Sequence, residues 1–224
     1  MKKQNDFPIP VRELCERYEA LYTAAVNDVL REMGIINCTL PHNIMPLKDC
    51  MKVCGIAFTI CGKKDKTPEG EMEKRADMLE ALGENSVAVW ETNGDDESAQ
   101  WGEIMTRAAA LRGCRGAVVD GGVRDTDRVL SQNFPVFCRY RSSNGMLGRF
   151  RMTDYQVPVT VGQITIRPGD VIFGDIDGVV VIARELAYDV LVRAEHIGEE
   201  EAEIKRQVDS GVSPSEIVAA GGYF

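Results

Sequence analysis

Histidine is nearly absent from this chain. His42 and His196 are the only two in 224 residues, and no Cys-x-x-Cys pair accompanies them. That excludes a zinc centre of ordinary Cys/His spacing, so any metal is expected to be a hard cation held by carboxylates and water. A basic surplus is missing as well. The formal net charge is -9, which argues against a nucleic-acid partner because no excess of cations exists to neutralise phosphates. An anionic small substrate stays open, since one arginine can bind a carboxylate inside an acidic protein. There is no run of about 18 apolar residues, and no membrane span is expected. The opening stretch MKKQNDFPIP lacks the apolar run of an export signal. The seven cysteines, Cys15, Cys38, Cys50, Cys54, Cys61, Cys114 and Cys138, are odd in number. Free, buried thiols in a reducing cytoplasm are therefore expected, and the protein is read as cytoplasmic.

What is present suffices for a core, at 44% hydrophobic residues. No repeat or long linker divides the chain, so one domain over residues 1–224 is expected. From Arg12 to Met33, Leu14, Tyr18, Leu21, Ala25 and Val29 recur at steps of three and four and predict one helix, stopped by Gly34. Asp28, late in that helix, opposes the dipole and calls for a local partner or a functional role. Leu40 to Lys52 reads as a loop. Val53 to Cys61 predicts a strand, Gly62 to Gly70 a charged turn, and Glu71 to Leu82 a helix with Met78, Leu79 and Leu82 inward. Asn85 to Trp90 predicts the next strand.

Glu91 to Ser98 then reads as a solvated acidic loop carrying Asp95, Asp96 and Glu97. A helix is expected from Ala99 or Gln100 through Arg112, with Ile104, Ala108 and Leu111 as its inner face and Gly113 ending it. A strand follows at Ala117 to Asp120. The alternation of strand and helix predicts an α/β layer with parallel neighbours. After a short helix to about Gln132 comes a strand at Pro135 to Cys138. Arg139 to Thr153 reads as a basic loop with Arg139, Arg141, Arg149 and Arg151, either solvated or an anion-binding lid. Short strands are expected at 157–161, 163–166, 171–173 and 178–183. The Asp175-Ile176-Asp177-Gly178 turn lacks the rest of a calcium loop. A long C-terminal helix is predicted from Arg184 to Ser210, with Glu199, Glu200, Glu201 and Glu203 on a charged face.

The chemistry centres on Asp120-Gly121-Gly122-Val123-Arg124-Asp125. Gly121 and Gly122 predict a tight turn and close approach of backbone to a ligand. Ligands of open α/β sheets bind beyond the carboxyl ends of strands, where this turn is expected. Arg124 offers a planar fork for a carboxylate or keto oxygen, and Asp125 can hold a hard divalent cation. An Arg-Asp salt bridge with Asp125 capping the helix is the structural alternative. Gln100-Trp101-Gly102-Glu103-Ile104-Met105 adds a helix N-terminus, a ready anion site that Gly102 leaves open. No glycine-rich nucleotide loop of Gly-x-Gly type supports a methyltransferase.

The order Gly102-Glu103, Gly113, Gly116, Asp120-Gly121 and Arg124-Asp125 resembles the RraA-like family. That family holds the regulator of ribonuclease activity A and the class II 4-hydroxy-4-methyl-2-oxoglutarate aldolases. Val53 to Thr59 and Arg167-Pro168-Gly169-Asp170 with Gly174 to Val180 are similar to its flanking segments, and the resemblance covers about residues 20 to 210. It implies a swivelling β/β/α fold and a homotrimer or hexamer with sites at subunit interfaces. It also implies an Mg²⁺- or Mn²⁺-dependent aldolase or decarboxylase that releases pyruvate from a small 4-hydroxy-2-keto acid or oxaloacetate. By position, Gly102, Glu103, Ile104 and Met105 would hold the carboxylate of the keto-acid substrate and Arg124 would contact it. Asp125 would hold the metal, and Glu103 would act through metal-bound water. Glu199 or Glu200 of a neighbouring subunit's last helix would complete the site. One position departs from the pattern: Arg128 stands where the aldolases of this family carry an acid. A non-catalytic RraA-like regulatory binding protein is the alternative.

Overall fold

The computed structural model describes residues 7–222, without the side chains of Glu199 and Glu200. In chain order the elements are α1 (Val11–Glu19), α2 (Thr23–Glu32), β1 (Met45–Pro46), β2 (Val53–Lys64), α3 (Glu71–Ala81) and β3 (Ser86–Glu91). Next come β4 (Ala99–Trp101), α4 (Glu103–Leu111), β5 (Gly116–Val123), α5 (Thr126–Leu130), β6 (Val136–Arg141) and β7 (Phe150–Tyr155). The chain continues through β8 (Val159–Val161), β9 (Ile164–Ile166), β10 (Val171–Asp175) and β11 (Gly178–Ile182). It closes with a 3₁₀ turn, α6 (Ala187–Asp209) and α7 (Pro214–Ala219).

One sheet dominates, in the order β1-β6-β5-β3-β2-β10-β11, with β4 beside β5 and β7 beside β2. The β6-β5-β3-β2 run is parallel, and β10 and β11 are antiparallel. The sheet curls until its edges nearly meet: Thr39 bridges Val180 of β11, while β1, just downstream, pairs with β6. Parallel strands must be covered on both faces, and these read as near-continuous apolar runs. Their period of two divides them between two cores. Val87 and Val89 of β3 and Val118 of β5 enter one, with β8 and β9 over it. Ala88, Trp90, Ala117 and Val119 enter the other, under α3 and α4. A third core lies between the sheet and α1, α2 and α6. All seven cysteines are free; five are buried, Cys61 is half-buried and Cys50 exposed. Among the described residues, no helix is long and apolar enough to cross a membrane.

Several sequence expectations need correction. The helix expected over 12–33 is two helices, parted at Ala20 to Tyr22. Lys52 Nζ donates to the Glu19 carbonyl (3.0 Å) and to the Leu21 carbonyl. Asp175, from the β10–β11 turn, accepts from the Thr23 amide and hydroxyl at 2.7 Å each and so caps α2. Both partners lie far along the chain, where periodicity carries no information. Gly34 does end α2: its φ is +81° and the Ile35 amide bonds back to Leu30. Asp28 finds its local partner in Arg31, at 3.3 Å.

The helix expected from residue 99 begins only at Glu103, because Ala99 to Trp101 form β4 against the end of β5. Its buried face is therefore Thr106 and Ala109, while Ile104 and Leu111 are exposed. The strand before Arg124 does not turn at Gly121-Gly122 but runs on to Val123 through a bulge. The first three residues of the charged turn belong to β2, and part of the basic loop is β7, paired with β2. Asp95 is not solvated: it is buried and accepts from the Ser98 amide and hydroxyl and from Gln100.

Asp175 joins α2 to the β10–β11 turn, so its loss reaches beyond one strand. Asp175→Ala is expected to lower unfolding free energy by about 1–3 kcal/mol in a urea titration. Exposed Asp177, in the same turn, should change it by less than about 0.5 kcal/mol on substitution by Ala. Equal effects would mean that the turn, not the cap, carries the stability.

Candidate active site at the start of helix α4

Two neighbouring parallel strands end together here. β4 pairs with β5 through Ala99 opposite Gly122 and Trp101 opposite Val123. The Arg124 amide then donates to the Trp101 carbonyl at 3.0 Å. β4 runs on into Gly102 and α4, and β5 into Arg124-Asp125 and α5. Sequence-distant groups thus arrive at one sheet edge, beyond the carboxyl ends of the strands.

The junction is held from below by buried polar groups. Gln100 accepts from the Gly122 amide at 3.0 Å and donates to Asp95 at 2.6 Å. Tyr140 donates to the Ser98 carbonyl at 2.9 Å. A Cβ on Gly122 would stand 2.7 Å from that carbonyl oxygen, and one on Gly121 would collide with the Gln100 side-chain oxygen. The two glycines thus permit close approach, as expected, but to protein rather than to a ligand. Trp101 donates to the Thr106 hydroxyl (2.8 Å), which bonds the Gly102 carbonyl (3.0 Å) and pins the first turn of α4. Nearby, burial raises the Asp120 carboxyl above its ordinary range, and Arg139, 3.5 Å away, opposes the rise.

Gly102 precedes α4 in extended backbone, a conformation open to any residue, so space is what requires glycine. A Cβ there would lie 2.9 Å from Asp125 Oδ2 and 3.0 Å from Arg124 Cγ. α4 has no side-chain cap, which leaves the amides of Glu103, Ile104 and Met105 without an intrahelical acceptor. Asp125 sits at φ +52°, ψ +37°, a left-handed conformation uncommon outside glycine. Its side chain does not cap α5; Asp125 Oδ1 instead accepts from Arg124 Nε at 3.3 Å. Strain of this kind clusters at functional sites.

These groups line a cleft of about 310 Å³ that also takes in Met72 and Arg75 of α3 and Gly145, Met146 and Leu147 of the loop after β6. The loop closes one wall: the Ala99 amide donates to the Asn144 carbonyl at 2.8 Å, and a Cβ on Gly145 would stand 2.7 Å from Arg124 Nη1. Gly102, Glu103, Ile104, Met105, Arg124 and Asp125 are therefore brought together. Glu199 and Glu200 belong to α6, and their side chains lie outside the described residues. Arg75 was not singled out from sequence, because nothing in α3 marks it. Nor was the pairing of Arg128 with Glu103, at 3.4 Å. The basic loop's arginines are engaged internally: Arg141 with the Leu47 carbonyl, Arg149 with the Gly145 carbonyl and Arg151 with Glu71. Among the described residues, no group of three or more His, Cys, Asp or Glu side chains is gathered to hold a metal.

Fold and cleft define an α/β protein whose candidate anion site lies at the ends of its parallel strands. The model of the RraA-like family, described as Aldolase/RraA, matches residues 23–181. The chain belongs to this family, and it has the family's mixed α/β fold, with a nearly closed sheet and a long C-terminal helix. It is 32% identical over 189 residues to Protein DlpA of Legionella pneumophila, covering 84% of this chain but 30% of that protein, so it spans under a third of that relative's length. It is also 32% identical over 181 residues, 80% of each chain, to a Halalkalibacterium halodurans protein provisionally named a 4-hydroxy-4-methyl-2-oxoglutarate aldolase. Among solved structures, one described as of novel cellulases from gut-associated microbes is 47% identical, with TM-score 0.86 over 90% of each chain. Streptomyces coelicolor RraAS2, described as an unusual member of the RNase ES inhibitor RraA family, is 27% identical, with TM-score 0.79 over 88% of this chain and 100% of that one.

Gly102→Ala tests the crowding directly. The variant is expected to fold, to lose about 1–3 kcal/mol in urea titration, and to show Asp125 and Arg124 displaced in a crystal structure. Both side chains in their present positions would mean that the space at Gly102 is not what sets them.

Proposed function

We propose that this chain is a divalent-metal-dependent carbon-carbon lyase that releases pyruvate from a small 4-hydroxy-2-keto acid or from oxaloacetate. The observation that carries the reading is the meeting of Arg124 and Asp125 with the uncapped first turn of α4 in one cleft. The chain would act as one RraA-like domain in a homotrimer or hexamer, with Glu199 or Glu200 of a neighbouring subunit reaching the site.

The donor set suits a hard cation. Asp125 presents a half-exposed carboxylate oxygen toward the space left by Gly102. Magnesium-type ions keep several waters and need only one or two protein carboxylates. Asp125 would hold Mg²⁺ or Mn²⁺, and when bound the ion supplies Lewis-acid polarisation of the keto oxygen. The chain's own groups do the rest. The amides of Glu103, Ile104 and Met105 bind the substrate carboxylate at the positive end of α4. Arg124, buttressed by Gly145, turns its guanidinium to the keto oxygen. Water ordered by Glu103 takes the proton of the 4-hydroxyl. The C4 oxyanion becomes a carbonyl as the C3–C4 bond breaks. The electron pair of that bond enters the pyruvate enolate, whose oxygen charge Arg124 stabilises, and water returns a proton to C3 to give pyruvate. Oxaloacetate would lose carbon dioxide to the same enolate.

A second reading rests on Arg128. It pairs with Glu103 at 3.4 Å, so the carboxylate of the first residue of α4 is already engaged by a cation. That favours a non-catalytic binding protein; the family of RraAS2 is described as one of RNase ES inhibitors.

Pyruvate release from oxaloacetate and 4-hydroxy-4-methyl-2-oxoglutarate, followed by coupled reduction, decides between them. Activity is expected with Mg²⁺ or Mn²⁺, to vanish with EDTA, and to fall by at least about 100-fold in Arg124→Ala, the scale of losing a transition-state donor. Turnover that survives both changes would overturn this mechanism, and no turnover of any keto acid would favour the binding protein.

A further inference from the structure

Arg75 of α3 is the one charged residue of the cleft that the keto-acid end leaves unused; the others are Glu103, Arg124 and Asp125. Its side chain is only 14% exposed, yet its hydrogen bonding is incomplete. Nη2 donates to Glu71 Oε1 at 3.0 Å, while Nε is buried with no acceptor. A buried guanidinium donor left unpaired is costly and calls for a physical reason.

Glu71 does not take up that donor, because it also serves β7. This carboxylate is 1% exposed, and its Oε1 accepts from the Met152 amide at 3.4 Å. Its Oε2 lies 3.9 Å from Arg151 Nε and has no hydrogen bond. Two guanidinium groups thus share one carboxylate, and the bond to Arg75 is single rather than bidentate. The wall keeps a positive charge that Glu71 does not neutralise. An arginine already held by a buried partner also has little side-chain freedom left to lose when it binds a second anion.

Met72, Ile104 and Leu147 open onto the same concavity as exposed apolar side chains. They would cover the carbon chain of a substrate. They would also keep water from an ion pair formed beside them, which strengthens it. A carboxylate is the anion that matches a planar guanidinium fork and ends a short carbon chain.

We propose that Arg75 is a specificity-determining residue of this cleft and binds the second carboxylate of a dicarboxylic 2-keto acid, while the α4 amides and Arg124 hold the keto-acid end. Glu71 is a positioning residue that holds Arg75 on the wall. The inference deepens the keto-acid reading and rests on it.

Calorimetric titration in Mg²⁺ buffer with 2-oxoglutarate and 2-oxopentanoate tests this without turnover. The two acids have the same main-chain length, differ in the second carboxylate and lack the 4-hydroxyl needed for cleavage. 2-Oxoglutarate is expected to bind at least about tenfold tighter, the scale of one charge-assisted hydrogen bond. Arg75→Met should cut that preference to about twofold or less and leave 2-oxopentanoate binding within about twofold of its original strength. Folding is checked by thermal melt. If the lone Glu71 carboxylate unfolds that variant, Glu71→Gln with Arg75→Met carries the same expectation. Lys74→Met removes an exposed charge from the same helix and should keep the preference. Equal or weaker binding of 2-oxoglutarate overturns the proposal. So does a preference that survives Arg75→Met or falls equally in Lys74→Met. Binding of neither acid overturns the proposal together with the keto-acid reading. If the preference depends on Arg75 but 4-hydroxy-4-methyl-2-oxoglutarate and oxaloacetate yield no pyruvate, the carboxylate subsite stands and the lyase reading alone fails.

Discussion

The candidate site depends on two backbones lying closer than a side chain would allow. β4 and β5 end side by side, and the Arg124 amide closes the pair by donating to Trp101. At that point Gly102 faces Arg124 and Asp125 with no Cβ between them. The uncapped amides of α4, the Arg124 fork and the Asp125 carboxylate then share one small volume. A helix start, an arginine and an aspartate are each common and individually uninformative. Their chemistry comes from being held together in a cleft where each other's field is felt.

Rigidity beneath that junction is polar rather than apolar. Asp95, Ser98, Gln100 and Tyr140 form a hydrogen-bonded layer that ties β4 to the bulged end of β5. Buried polar networks are costly unless satisfied, and a satisfied one admits few alternative geometries. The bulge at Asp120-Gly121 belongs to the same device: it lets β5 approach Gln100 and Tyr140 closely while still delivering Arg124 to the cleft. Asp125, in its left-handed conformation, sits directly on this frame.

The parts of the site that could be read from residues alone were those written in contiguous stretches. Gly102 to Met105 and Arg124-Asp125 stood out because glycine, charge and the end of an apolar run coincide within a few positions. Arg75 and the wall formed by Gly145 to Leu147 could not be read, since they come from separate elements that only the curled sheet brings near. Arg128 was legible as a departure from the family's pattern, but not as the partner of Glu103. The charged loop at 95–97 misled for a related reason. Exposed Asp96 and Glu97 fit a solvated turn, whereas Asp95 is buried by partners whose positions no spacing discloses.

By itself the sequence determined the alternation of strand and helix, the parallel core, the long last helix and the family, because these rest on local periodicity and on the order of short motifs. Its scarce histidine and acidic balance set the expectation of a hard cation and a small anion, which rests on composition alone. Tertiary structure alone decided where the first helix breaks, where α4 begins and which way it faces. Those choices hinge on Asp175 capping Thr23 from across the chain and on Gln100 bridging two strands, and such long-range bonds override local propensity. It likewise decided that Met72, Ile104 and Leu147 open onto the cleft with Arg124, since a common wall is a property of packing and not of spacing.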